Sequence, residues 1–179
     1  MSDSENLIPW LTLAHTTGLS ARHISQLLNT FSSAAEILLH ADELPLPRTI
    51  IKQLKHPEQT THTVALDWLA DSPDHHIIHR QSAAYPRALA TLPDPPTVLY
   101  VIGKPDILQL PQLAIVGSRQ ASPFGLKKSH QFALSLAQQG LCITSGMARG
   151  IDGAAHQGAL AAQGHTVAVL GSGLNHLYP

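Results

Sequence analysis

Two short clusters of glycine, hydroxyl and guanidinium residues stand where chemistry could occur. Gly117-Ser118-Arg119 directly follows the apolar run Leu113 to Val116, and Ser122, Pro123 and Gly125 come next. Gly117 lets backbone approach a ligand closely, Ser118 offers a hydroxyl, and Arg119 supplies a planar fork suited to phosphate oxygens. Ser122 is placed to cap a helix whose first amides face the same spot, so the cluster reads as an anion cradle. The alternative is a tight turn whose arginine is merely solvated. The second cluster is Thr144-Ser145-Gly146-Met147-Ala148-Arg149-Gly150-Ile151-Asp152. Ser145 and Gly146 can present a hydroxyl and an amide, Gly150 relieves crowding, and Asp152 can cap the following helix; Arg149 suits a ligand contact and plain solvent exposure equally. Asp152 and His156 share one helical face, which makes an acid/base pair conceivable, although a cap beside a hydrogen-bonded histidine is the preferred reading.

Other chemistries are excluded by what the spacing lacks. Gly171-Ser172-Gly173-Leu174 resembles a dinucleotide fingerprint, but His176 stands where the final glycine belongs, and no acidic residue ends the Leu141 to Thr144 run. There is no lysine-bearing phosphate loop, no G-x-S-x-G elbow and no Cys/His nucleophile pair. No cofactor is expected. Cys142 is the single cysteine, so neither an internal disulfide nor a cysteine zinc site can form. The 12 histidines are scattered, and His75-His76 opens an apolar run, so no metal site is expected either.

The elements that must position these clusters follow from periodicity. Leu113 to Val116, Leu141 to Thr144 and Thr166 to Leu170 are continuous aliphatic and β-branched runs bounded by glycine, as in buried parallel strands, and Thr97 to Ile102 reads the same way. Residues 122–139 and 152–163 read as the intervening helices. The pattern predicts an α/β, Rossmann-like, doubly wound and mostly parallel sheet over 97–179, with both clusters at strand ends, where open α/β sheets bind ligands. The last strand has no helix after it, so the sheet is expected to be incomplete at its C-terminal side. Before it, residues 1–72 show apolar spacing of three and four, broken at Thr17-Gly18, Ser32-Ser33 and Pro45/Pro47, which predicts a small all-helical domain of two- to three-turn helices. Thr17-Gly18-Leu19 with Ser20 could form a helix-hairpin-helix turn, but Leu44-Pro45-Leu46-Pro47 lacks the glycine of a second one. Residues 73–96 read as a linker holding one short strand.

Charge follows this division. The formal net charge is -1, yet residues 1–74 carry four Lys/Arg against nine Asp/Glu, and residues 75–179 carry seven against three. The later half can therefore meet phosphates locally. The polar start and the lack of a long apolar run predict a soluble, cytoplasmic protein without a membrane contact.

At Ala114-Ile115-Val116-Gly117-Ser118-Arg119, at Ser145 to Asp152, at His156 and at Gly164 to Gly171, the chain resembles the DprA (Smf) family in order and spacing. Tyr85-Pro86 with Leu89, Pro95 to Tyr100 and Gly173 to Pro179 resemble it as well, and the helical front resembles the sterile-alpha-motif-like module of many members. The resemblance implies a protein, not an enzyme, that binds and protects incoming single-stranded DNA and helps load the RecA recombinase in natural transformation and recombination, as a homodimer in the full-length protein. It places DNA contacts at Ser118 and Arg119 and takes in Ser145 and Gly146 of the neighbouring motif, and the residue types themselves add Gly117 and Arg149 as DNA-binding candidates. A cradle of amides, hydroxyls and guanidinium reads backbone rather than bases, so affinity should fall with salt. Phe124 is the one aromatic beside the first cluster, and a core or turn-packing role is expected for it. The rival reading is a nucleotide-processing enzyme of the LOG-type phosphoribohydrolases, whose PGGxGTxxE motif is not found here.

Overall fold

The computed structural model describes residues 3–175, with side chains from residue 7 onward. Two compact units divide the chain, Met1–Pro105 and Asp106–Pro179.

The first unit begins with five helices: α1 (Asp3–His15), α2 (Ala21–Leu28), α3 (Ala34–Leu39), α4 (Arg48–Lys55) and α5 (Gln59–Ala70). Helix α2 starts where the Ser20 hydroxyl accepts the His23 amide at 3.2 Å, and α3 where Ser33 accepts that of Glu36 at the same distance. The turn before α2 rests on Gly18, whose φ of 86 disfavours any side chain. Helices α1 and α5, with 13 and 12 residues, exceed the two to three turns expected. Trp10, Leu13, Ile24, Ile37 and Leu54 form the core between the helices. A second cluster joins Leu7 and Leu11 of α1 to Ala65 and to Ile77 of β1 (His75–His79).

Strand β1 corrects the division read from sequence. Beyond a four-residue helix, α6 (Arg87–Ala90), the chain returns as β2 (Val98–Ile102) and pairs antiparallel with β1, with His75 opposite Ile102 and His79 opposite Val98. Residues 97–102 were expected to open the parallel sheet. They are instead hydrogen-bonded into the first unit, where Val98 packs against both of its clusters. The compact-unit boundary consequently falls after Pro105 and not at 96. His75 and His76 serve this ladder: His75 stacks on Trp68 at 4.3 Å and its Nδ1 lies 2.6 Å from the Trp68 carbonyl, while His76 Nε2 lies 2.9 Å from that of Gly103.

The second unit is a βαβαβ sequence: β3 (Gln112–Ala114), α7 (Pro123–Gln138), β4 (Cys142–Ser145), α8 (Ile151–Ala161) and β5 (Thr166–Ala168). The three strands are parallel in the order β3-β4-β5. This is the Rossmann-like arrangement expected, and the helix boundaries lie within two residues of those read from sequence. Among the described residues both crossover helices cover one face of the sheet, as right-handed connections between successive neighbours require. Small residues let them approach: Ala133, Ala137, Ala155 and Ala159 pack on Ile143, and a Cβ on Gly158 would stand 2.9 Å from that of Ala133. Ser122 caps α7 by accepting the Gly125 amide at 3.2 Å, with Pro123 preset for the first helical position.

Candidate nucleic-acid interface

The two clusters meet at the carboxyl ends of β3 and β4. Ile115 extends the pairing by donating its amide to the Thr144 carbonyl at 3.0 Å, after which the chain turns away through Gly117-Ser118-Arg119. The Ser118 hydroxyl closes that turn by accepting the Gln120 amide at 3.1 Å. Its carbonyl accepts the Ile151 amide at 3.2 Å, so the first loop is bonded to the start of α8.

Glycine is required where the loops touch. Gly150 has a φ of 85, and a Cβ there would strike the Ser118 carbonyl oxygen and stand 2.8 Å from that of Arg119. A Cβ on Gly117 would stand 2.7 Å from Ile151 Cγ1. The backbones therefore interlock, with Ile151 packed beneath Gly117. Asp152 reinforces the joint. Its carboxylate is buried at 6% exposure and accepts the Gly117 amide through one oxygen and the Ala148 amide through the other, each at 3.4 Å. The aspartate read from sequence as a helix cap is also a tie between loops that lie 35 residues apart. Only the neighbourhood of Gly117 in space discloses that second task.

Ser145 departs from expectation. Its hydroxyl is buried at 2% exposure and donates to the Ile115 carbonyl at 2.6 Å, so it joins β3 to β4 and is not offered to a ligand. Sequence gives both seryl hydroxyls the same place at a strand end, and only pairing separates them. Ser118, Arg119, Gly146 and Arg149 are exposed, and neither guanidinium forms an ion pair with a described residue. The structure thus brings Gly117, Ser118, Arg119, Gly146 and Arg149 to one end of the sheet, around amides and carbonyls of two interlocked loops.

The Asp152/His156 pair resolves as structure. The Thr166 hydroxyl gives its one hydrogen to the Ile143 carbonyl at 2.7 Å and so accepts from His156 Nδ1, also at 2.7 Å. That assigns the hydrogen to Nδ1 and leaves Nε2 buried without a hydrogen-bond partner among the described residues. Burial pushes the imidazole below its ordinary range, and Asp152 only partly opposes this. A neutral histidine facing inward is poorly placed for proton transfer. Among the described residues no three His, Cys, Asp or Glu side chains are grouped as a metal would need, and no helix is long and apolar enough to cross a membrane. His176 to Pro179, part of the motif read at the end of the chain, lie outside the described residues.

Residues 76–179 match the family of DNA recombination-mediator protein A. Protein Smf of Escherichia coli is 36% identical over 179 residues, all of this chain and 47% of that protein. DNA processing protein DprA of Streptococcus pneumoniae is 43% identical over 95 residues, covering 53% of this chain and 33% of its own length. The chain therefore spans about half the length, or less, of the curated relatives it matches. Its fold matches the X-ray structure of the pneumococcal DNA processing protein A with a TM-score of 0.76 and 27% identity, over 100% of this chain and 61% of that one. DNA processing protein A of Helicobacter pylori, described for its unique single-stranded DNA binding mode, matches with a TM-score of 0.51 and 31% identity over 59% of this chain and 46% of its own. Because the family match takes in more than half of the residues and contains both interlocked loops, the chain belongs to the DNA recombination-mediator protein A family.

Proposed function

We propose that this chain carries the backbone-gripping part of a protein that binds and protects single-stranded DNA and helps load RecA during natural transformation and recombination. The observation that carries the reading is the pair of interlocked loops at the strand ends, with the exposed guanidinium groups of Arg119 and Arg149 beside exposed Ser118 and Gly146. Guanidinium forks and backbone amides recognise phosphate oxygens, which every nucleotide presents alike. Gly117 and Gly150 keep the two loops close enough to act together, and Ser145 and Asp152 hold them there. The single-stranded DNA binding mode of the Helicobacter pylori relative supports the same assignment. Contact with RecA and homodimer formation rest on the family resemblance, as do a cytoplasmic setting and the division into a helical front domain and a strand-helix DNA-binding domain.

The reading includes no bond chemistry, because the acid/base candidates beside the loops, Asp152 and His156, are engaged in holding the fold. Fluorescence-anisotropy titration with a labelled deoxythymidine oligomer tests it. Arg119→Ala is expected to weaken binding while leaving the melting curve unchanged, and affinity should fall as salt rises, since each phosphate neutralised releases counterions. Unchanged affinity in the variant would remove Arg119 from the cradle. Release of free base from nucleoside monophosphates would replace the reading with the phosphoribohydrolase alternative.

A further inference from the structure

Of the core and turn-packing roles expected for Phe124, the core role is ruled out by its exposure. The residue lies in the first turn of α7 and is 69% exposed, and the ammonium of Lys128, one turn on, stands 5.6 Å from its ring centroid. Helical side chains lean toward the N-terminus of their helix, so the ring is held at the end of α7 that meets the loops. The neighbouring residue sets this turn beside the loops: a Cβ on Gly125 would stand 3.6 Å from Ile151 Cδ1, and Ile151 is also the side chain packed beneath Gly117. One side chain thus supports both the first turn of α7 and the Gly117 turn. The surroundings suit a polyanion. Lys127 and Lys128 are exposed on the same helix, and in residues 106–175 the acidic residues are Asp106 and the buried Asp152.

We propose that Phe124, with Lys128 at its ring, is a stacking platform for one base of a DNA strand whose phosphates lie in the Gly117-Ser118-Arg119 cradle. The inference rests on the cradle reading and adds to it a contact with a base. A phenyl face stacks on any base, so the platform raises affinity for single strands without reading sequence, and bases in a duplex cannot reach it while paired. Lys127, Lys128 and Gln131 are exposed beside the ring on α7, and Lys128 stands between it and the next exposed aromatic, Phe132, a charged setting that suits a polyanion better than an apolar partner. Phe132 is an internal control, because it is 63% exposed on the same helix and about 12 Å further from the loops.

Anisotropy titrations of the full chain with a deoxythymidine oligomer and an abasic oligomer of equal length separate base from backbone binding. Phe124→Ala is expected to weaken the deoxythymidine complex at least about fivefold and to leave the abasic complex unchanged. Phe124→Trp should retain binding to both, and Phe132→Ala should alter neither. Equal loss on both oligomers, or a Phe132→Ala loss matching that of Phe124→Ala, overturns the platform. So does an unaltered deoxythymidine complex in Phe124→Ala while Arg119→Ala weakens both complexes, a result that leaves the cradle standing. Failure of the wild-type chain to bind either oligomer overturns cradle and platform together.

Discussion

Side chains that share a sequence motif divide sharply in what they do. Ser118 lies just past β3 and Ser145 is the last residue of β4, yet one is exposed and the other is buried against the Ile115 carbonyl. Arg119 and Arg149 point outward, whereas Asp152 turns in to accept two amides. The inward group should register in stability more than in affinity. Asp152→Ala leaves two backbone donors without their acceptor and is expected to cost about 1–3 kcal/mol, measured by urea denaturation followed by circular dichroism. A midpoint equal to wild type would show that the carboxylate is not the tie between the loops. Gly150→Ala should cost a similar amount, at least about 1 kcal/mol, because a residue at positive φ must also push against two carbonyl oxygens. Both substitutions should weaken DNA binding only as far as they loosen the loops.

Among the elements, the strands and helices of the second unit were legible because their hydrophobic runs are long, glycine-bounded and alternate with helical spacing. Helix α7 announces itself by Ser122-Pro123, a cap followed by a residue that already has helical φ. Strand β2 was legible as a strand and not as a partner, since Val98 to Ile102 carries the same aliphatic composition as the parallel strands. Its placement depends on the hydrogen bonds it makes with β1 and on the Val98 side chain entering the helical cores. The α7/α8 contact leaves no room for a side chain where the helices meet. Gly158 lies against the His130 carbonyl and Ala133, so Gly158→Val is expected to force the helices apart and to destabilise the protein by about 1–3 kcal/mol. A neutral effect in a chemical melt would contradict the close packing described.

For the whole molecule, pH is the informative variable. His15, His62, His79 and His156 all have imidazoles pushed below the ordinary 6.5 by burial, with His62 adding to the effect at His15. His79 Nδ1 and His156 Nε2 are buried without a hydrogen-bond partner among the described residues, so protonation would place an unpaired charge inside. An unfolded chain takes up protons near pH 6.5 that the native state refuses until lower pH. The stabilising effect is thus complete above that value and fades as pH falls below it. The urea midpoint should drop between pH 7.5 and 5.5, and a midpoint that rises on acidification would contradict the burial of these rings.

Sequence by itself determined the class of the second unit, the strand ends at which chemistry could gather and the residue types gathered there. Such features depend on local spacing, on hydrophobic period and on glycines that no other residue replaces. Tertiary structure alone decided which hydroxyl is spent on the fold, that Asp152 joins two loops, that β2 belongs with β1 and that Phe124 faces solvent. Those outcomes depend on partners distant along the chain, and a residue's type does not disclose what packing will bring beside it.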